Sequence, residues 1–365
     1  MANHGSSFQK ILMGAAGSAA DPLFVENVFS TFLYTGTGSN ITINNGIDLS
    51  GEGGLVWVKH RSLAANHLLV DSERGVQWLS TSTTGAQTNQ TLVHSFSSNG
   101  FTVSGDSVNY ASDNGEDYVS WTFRKAPKFF DVQKFTAGYG DTTVSHNLKS
   151  SPGMIIFKRI DSGGSDWWVF HRSLGTGNNS VLKLQDTTAA LGYRVDTPNN
   201  HFSSVSSTSV TLTSLTGTAE YIMYLFGHNN NDGEYGSGAD QDIIKCGSYT
   251  GNGATSGPTV DLGFEPQWIL FKDSSSTGDW QIMDVMRGLA VDGDDKVLQP
   301  NTSSAEITYS GGKVNITPTG FQLRGSGAVN TSSRNYIYIA IRRGPMATPT
   351  AASDVFNVVQ TTNAD

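Results

Sequence analysis

Pro266-Gln267-Trp268-Ile269-Leu270-Phe271-Lys272 is a run of uncharged, mostly bulky residues ending in one lysine, with Gly263-Phe264-Glu265 in front of it. A run this short, bounded by turn formers and rich in aromatic and branched side chains, predicts a buried core strand rather than a helix. The pattern occurs three times in the 365 residues, the other copies being Gly54-Leu55-Val56-Trp57-Val58-Lys59 and Pro152-Gly153-Met154-Ile155-Ile156-Phe157-Lys158. The same landmarks surround each copy. An aromatic residue precedes the lysine by 25 residues (Tyr34 to Lys59) and then twice by 23 (Phe135 to Lys158, Tyr249 to Lys272). A tyrosine that opens a closing strand follows the lysine by 59, 63 and 64 residues, at Tyr118, Tyr221 and Tyr336. Asn99-Gly100-Phe101-Thr102-Val103 and Thr319-Gly320-Phe321-Gln322-Leu323 mark a further strand, for which the middle unit offers Ser209-Val210-Thr211-Leu212. A period of about a hundred residues is a whole domain rather than a solenoid repeat. Roughly seven short strands per unit, joined by Gly, Asn, Ser and Asp turns, predict an all-β chain of three tandem antiparallel β-sandwiches, jelly-roll-like in character.

The expected boundaries are an N-terminal arm over residues 1–30, sandwiches over 31–127, 128–228 and 243–345, and a C-terminal tail over 346–365. Lys125-Ala126-Pro127-Lys128 leaves little slack between the first two units. Residues 229–242 form a polar, glycine-rich linker that is expected to bend. In the arm, Phe8, Ile11, Leu12 and Met13 are too few to fold alone, so they are expected to anchor the chain by docking on a partner. The units themselves are expected to run head to tail as an outward spacer.

Forty-one glycines and only 15% charged residues suit short strands, and a formal charge of −9 argues against a nucleic-acid partner. No stretch is long enough to insert across a bilayer. A single cysteine, Cys246, excludes an intrachain disulfide framework and a cysteine-rich metal site, and is read as a small buried residue. The eight histidines lack metal-ligand spacing, and no nucleophile elbow, phosphate loop or dinucleotide fingerprint is present, so no metal and no cofactor is expected.

The stretch after the core strand carries the best candidates for chemistry. His67-Leu68-Leu69-Val70-Asp71-Ser72-Glu73-Arg74 and Trp280-Gln281-Ile282-Met283-Asp284-Val285-Met286-Arg287 share an Asp and an Arg at the same offsets, whereas the second unit has His171 and Leu174 there. Asp71 and Glu73 alternate as the carboxylate pairs of sandwich-fold glycosidases do. The glutamate position is Met286 in the third unit, however, so Asp and Arg are read as tying down a turn by a charge-assisted bond, and no catalytic residue is assigned. Oxygen donors between Asp232 and Asp242 fit no standard calcium loop. Trp57, Trp121 and Trp268 are expected in the interior. Trp167, Trp168 and Trp280, beside loop glycines, are candidate surface platforms for a glycan.

Ile47 to Lys59, Val119 to Asp131, Ile244 to Gly251, Leu262 to Trp268 and Tyr336 to Pro345 together resemble a repeated β-domain family of marine tailed-phage (cyanophage or podovirus-like) virion proteins, with Gly344 splitting that family's Arg-Arg-Pro. The resemblance covers about residues 23–345. It implies a non-enzymatic structural protein, most readily a tail-fibre or tail-associated host-attachment component, assembled in the host bacterial cytoplasm and located in the virion. Its partners would be other virion proteins, further copies of itself in a symmetric homo-oligomer (a trimer being the first guess), and a host surface glycan or receptor. A capsid-surface decoration protein is the alternative within that class. A secreted carbohydrate-binding protein or a polysaccharide depolymerase is the alternative outside it.

Overall fold

Each of the three core runs forms the predicted strand, and each strand is covered on both faces. In the computed structural model, which describes residues 21–105, 110–174, 180–191 and 201–346, the first sandwich has eight strands. They are β1 (Phe29–Thr35), β2 (Ile41–Asn44), β3 (Gly54–His60), β4 (Leu68–Asp71), β5 (Trp78–Leu79), β6 (Val93–Ser97), β7 (Gly100–Val103) and β8 (Asp117–Arg124). One sheet has the order β1-β8-β3-β4-β5 and the other β2-β7-β6. The second unit repeats this with β9 (Phe130–Thr136), β10 (Thr142–Ser145), β11 (Met154–Arg159), β12 (Trp168–His171), β13 (Leu182–Lys183), β14 (Phe202–Val205), β15 (Ser209–Leu212) and β16 (Glu220–Phe226). Its sheets are β13-β12-β11-β16-β9 and β10-β15-β14. The third has β17 (Ile244–Thr250), β18 (Thr259–Asp261), β19 (Pro266–Asp273), β20 (Gln281–Asp284), β21 (Asp295–Val297), β22 (Ile307–Tyr309), β23 (Val314–Thr317), β24 (Gly320–Leu323) and β25 (Asn335–Arg342). These form sheets β17-β25-β19-β20 and β18-β24-β23, with β21 and β22 as a separate pair. Helix is confined to α1 (Val25–Val28) and a 3-10 turn, Val285–Arg287, among the described residues.

The landmark aromatics now have a physical reason. Tyr34, Phe135 and Tyr249 lie directly opposite Tyr118, Tyr221 and Tyr336 in the antiparallel register. The three ring pairs stack at 5.2, 5.5 and 5.2 Å. Each closing tyrosine also accepts, on its hydroxyl, the amide of the residue five positions upstream: Asp113, Thr216 and Thr331. This is a tyrosine corner, a device that pins the entry of a sandwich strand, built three times in one chain.

Side chains of a strand alternate between faces, and here both faces are dry. In β3, Val56 and Val58 join Phe101 and Val103 in the first sandwich's own core, while Leu55 and Trp57 point the other way. Likewise Ile155 and Phe157 fill the second sandwich, and Ile269 and Phe271 the third. Their alternates Met154, Ile156, Trp268 and Leu270 meet Leu55 and Trp57 in one shared cluster, with Trp121, Tyr224 and Ile339 of the closing strands. The large sheets of all three sandwiches therefore pack on one another around a common interior, and the small sheets lie outside.

The three units form a closed ring, which corrects the expectation of a head-to-tail spacer. A string of separate sandwiches would expose this second face, and each Leu or Ile left in water forfeits roughly 1.5–3 kcal/mol. The bending linker is corrected as well. Within residues 229–242, Tyr235 is buried and donates its hydroxyl to the Pro127 carbonyl at 2.7 Å. The Asp242 carboxylate accepts the amides of Asn231 and Gly233 at 2.9 and 3.0 Å, which fixes the loop. The first sandwich also begins inside the span assigned to the arm, because Val25, Val28 and Phe29 are buried in the common interior. Phe8, Ile11, Leu12 and Met13 lie outside the described residues, as does the chain after Met346.

Candidate functional site

The polar residues that looked capable of chemistry converge on the seams between sandwiches, where three kinds of contact repeat cyclically. The first uses the core-strand lysines. Lys158 Nζ donates to Thr84 O of the first sandwich at 3.1 Å, Lys272 Nζ to Thr187 O of the second at 3.0 Å, and Lys59 Nζ to Ser303 O of the third at 3.4 Å. Each has a second acceptor near its own strand, at His60, Ser165 and Gly278. Burial pulls all three amines down to about 8, and the two carbonyl oxygens at each take up N–H donors that burial has removed from water.

The second contact uses the residue just before the strand that follows each core strand. Trp167 Nε1 donates to Ser80 O at 2.9 Å, Trp280 Nε1 to Lys183 O at 2.9 Å, and His67 Nε2 to Gln299 O at 3.0 Å. A carbonyl only accepts, so His67 carries its proton on Nε2, and Nδ1 accepts from Trp57 Nε1 at 2.9 Å. Burial, and then the neighbouring Lys59, hold its basicity well below the ordinary range.

The third contact involves the turn after that strand. Asp71 accepts from Arg74 Nε at 2.6 Å and from the Glu73 and Arg74 amides, and it also takes the hydroxyl of Tyr224 from the second sandwich at 2.8 Å. Asp284 binds Arg287 Nε at 2.6 Å and accepts Trp121 Nε1 from the first sandwich at 3.0 Å. In the second unit His171 Nε2 donates to the Tyr338 carbonyl of the third sandwich at 3.0 Å, and burial brings this histidine down to about 4. The partners co-vary with reason. Where the closing strand presents a donor, Tyr224 or Trp121, the facing turn has a carboxylate. Where it presents Ile339, whose side chain has no polar group, the turn has an N–H donor that bonds the preceding Tyr338 carbonyl.

The reading of Asp71 and Arg74 as a turn tie holds, with the addition that the tie also reaches the next sandwich. Asp71 has no access to solvent, while Glu73 forms a separate bond to Lys125 at 2.9 Å. Trp57, Trp121 and Trp268 are interior as expected, and Cys246 is buried, its thiol held well above the usual range by burial. Trp167 and Trp280 are not surface platforms: they are 0% and 1% exposed, because the loops that bear them pack on the preceding sandwich. Trp168 remains half-buried and lines a small cavity in the second sandwich. A larger cleft of about 540 Å³ lies between the second and third sandwiches, walled by neutral groups such as Ser173, Ser248, Thr250 and Asn335. No group of three or more His, Cys, Asp or Glu is placed to hold a metal among the described residues.

A ring of three β-sandwiches, sealed by lysine, indole and carboxylate contacts, is the class this chain defines. It belongs to the family described as a domain of unknown function (DUF7483), whose model matches residues 26–345. That span takes in most of α1 and all three sandwiches as one unit, as a closed ring requires. No curated protein matches the chain.

Proposed function

We propose that the chain is a non-enzymatic structural and host-attachment component of a bacteriophage particle. The observation that carries the reading is the fate of the reactive groups: Asp71, Asp284, His67, His171 and the three core lysines are all consumed in closing the ring. What results is a rigid block with three outward sheets, suited to presenting surface rather than to turning over substrate. The resemblance of residues 23–345 to virion domains of marine tailed phages supplies the setting, with tail-fibre or tail-associated attachment as the first assignment. The compact ring favours a second one, decoration of the capsid surface, because a closed ring reaches less far than a string of units.

Other virion proteins would hold the block, and weak contacts with a host glycan would gain strength from many copies. A gold-labelled antibody against the chain should decorate purified particles, and deletion of residues 1–20, which spares the buried Val25, Val28 and Phe29, should leave a folded ring that no longer joins them. Absence of label from particles, or cleavage of host polysaccharide by the pure protein, would refute the reading.

A further inference from the structure

The three sandwiches differ at one equivalent place. In the register of each core strand with its neighbour, Leu68 faces Val58, Trp168 faces Phe157 and Gln281 faces Phe271. The residue before the matching outer strand is Leu92, His201 or Lys313. In the first sandwich Leu68 and Leu92 are fully buried and fill the space. In the second, Trp168 and His201 leave a cavity of about 230 Å³, whose wall also includes Arg159, Asp166, Ser214 and Tyr221.

His201 is 93% buried, and its Nε2 has no hydrogen-bond partner among the described residues. Its Nδ1 lies 3.4 Å from the Thr213 carbonyl, which can only accept, so the proton sits on Nδ1 and Nε2 is a bare acceptor. A buried acceptor without a donor is costly, and His201 is part of the wall of this cavity. Burial brings the ring down to about 4, so it is neutral at ordinary pH. The rest of the wall is partly committed. Asp166 is bound by Lys183 at 2.8 Å and by Gln185, yet as a carboxylate it keeps accepting capacity. Arg159 gives its Nε to Asp161 at 2.6 Å and keeps its terminal amines for another acceptor. The Trp168 ring, 4.2 Å from the His201 ring and capped by Lys183 Nζ at 5.3 Å, contributes apolar wall rather than an open stacking face.

A bare imidazole nitrogen and a carboxylate both call for O–H donors and disfavour an anion. Arg159 calls for an oxygen acceptor and, with Lys183, disfavours a cation. A small neutral molecule carrying several hydroxyls on an oxygen-containing ring meets all of these demands. We propose that this cavity is the glycan contact of the molecule and holds one neutral pyranose unit, with one sugar hydroxyl donating to His201 Nε2, another to Asp166, and Arg159 donating to a sugar oxygen. The assignment deepens the attachment reading and rests on it for its biological role.

The test is titration of the full chain with glucose, galactose, mannose and N-acetylglucosamine, each to millimolar concentration, following the His201 and Trp168 ring resonances by NMR. At least one sugar should produce a saturable shift. His201→Phe, which fills the space and removes the acceptor, should weaken that response at least tenfold without lowering the melting midpoint, while His201→Gln, which keeps an acceptor, should retain part of it. Should His201→Phe not fold, Arg159→Ala at the same wall carries the comparison. No shift with any sugar, or an unchanged response in the folded variant, overturns the proposal. Sugar binding in solution together with absence from purified particles would sink the virion reading and leave the cavity standing; label on particles without sugar binding would do the reverse.

Discussion

The seam between the first and second sandwiches and the seam between the third and first perform the same task under different constraints. At the former the backbone crosses directly through Lys125-Ala126-Pro127-Lys128; at the latter no peptide links the two sheets. Both contain a buried Asp–Arg pair that takes a donor from the neighbour. The seam without a tether carries more. Arg61 makes two bonds of 3.0 Å to Glu306, the Arg287 guanidinium lies 5.3 Å over the Trp121 ring and reaches Glu306 at 3.3 Å, and Thr81 donates to Pro300 O at 2.7 Å. Bringing distant parts of a chain together costs closure entropy. Side chains supply at this seam the restraint that the backbone supplies at the other.

Breaking the buried ion pairs should separate the two seams most sharply. Arg287→Ala strands the Asp284 charge away from water and should cost about 3–5 kcal/mol. Because nothing covalent holds that seam, small-angle scattering should show a larger radius of gyration before global unfolding. Arg74→Ala should cost a similar amount yet leave the radius unchanged, and equal radii for the two variants would show that the tether does not matter.

Next come the indoles. Trp167→Ala and Trp280→Ala should each lower stability by about 3–5 kcal/mol, as Trp268→Ala should, since all three rings are fully buried. Denaturant melts with losses below about 0.5 kcal/mol would return Trp167 and Trp280 to the surface.

Acid probes the histidines, and both seam histidines, His67 and His171, bond to the third sandwich. Their folded pKa values lie below the unfolded value, so their contribution is complete above about pH 6.5 and is lost as pH falls through the folded values, about 4 for His171. For His171 the loss should reach about 3 kcal/mol. Arg172 and His228 oppose protonation of His171, while Lys59 and Arg287 oppose that of His67. Melts between pH 7 and pH 4 should therefore slope downwards, with a shallower slope in His171→Gln; parallel slopes would remove His171 from the seam. Arg61→Ala is the mildest test. The pair is partly exposed, so about 1 kcal/mol is expected, much of it absent at high salt, where Arg287→Ala keeps its full effect.

The strands, the closing tyrosines and the interior role of Trp57, Trp121 and Trp268 were legible because they follow from local pattern. The ring was not, because spacing along a chain says nothing of which sheet faces which. A clue was nonetheless present. Gly54–His60 is buried at every position, and its sequence has none of the polar alternation of a sheet with one wet face, so something had to cover the second face. Trp167 and Trp280 looked like surface rings because glycines flank them. Counted from the core lysine, Trp280 falls at the place of His67 and Trp167 one residue later, and the recurrence of a ring N–H just before the following strand in all three units was the signal for a shared structural duty. His201 offered no such signal, since only the folded wall leaves its Nε2 without a donor.

The two flanks of the ring meet. The Met346 amide donates to the Glu26 carboxylate at 3.1 Å, and Met346 sulfur accepts the Val25 amide at 3.3 Å. A ring whose two flanks touch has no intrinsic starting point, so the order of the sandwiches in the gene is one of three equivalent ways of writing the same circle. Joining residues 346 and 25 and opening the chain at Pro127 would preserve the seam contacts while moving the untethered seam from third-and-first to first-and-second. The extra charged contacts would then sit where a peptide already does their work, and the seam left bare would show how much of the ring's closure is connectivity and how much is chemistry.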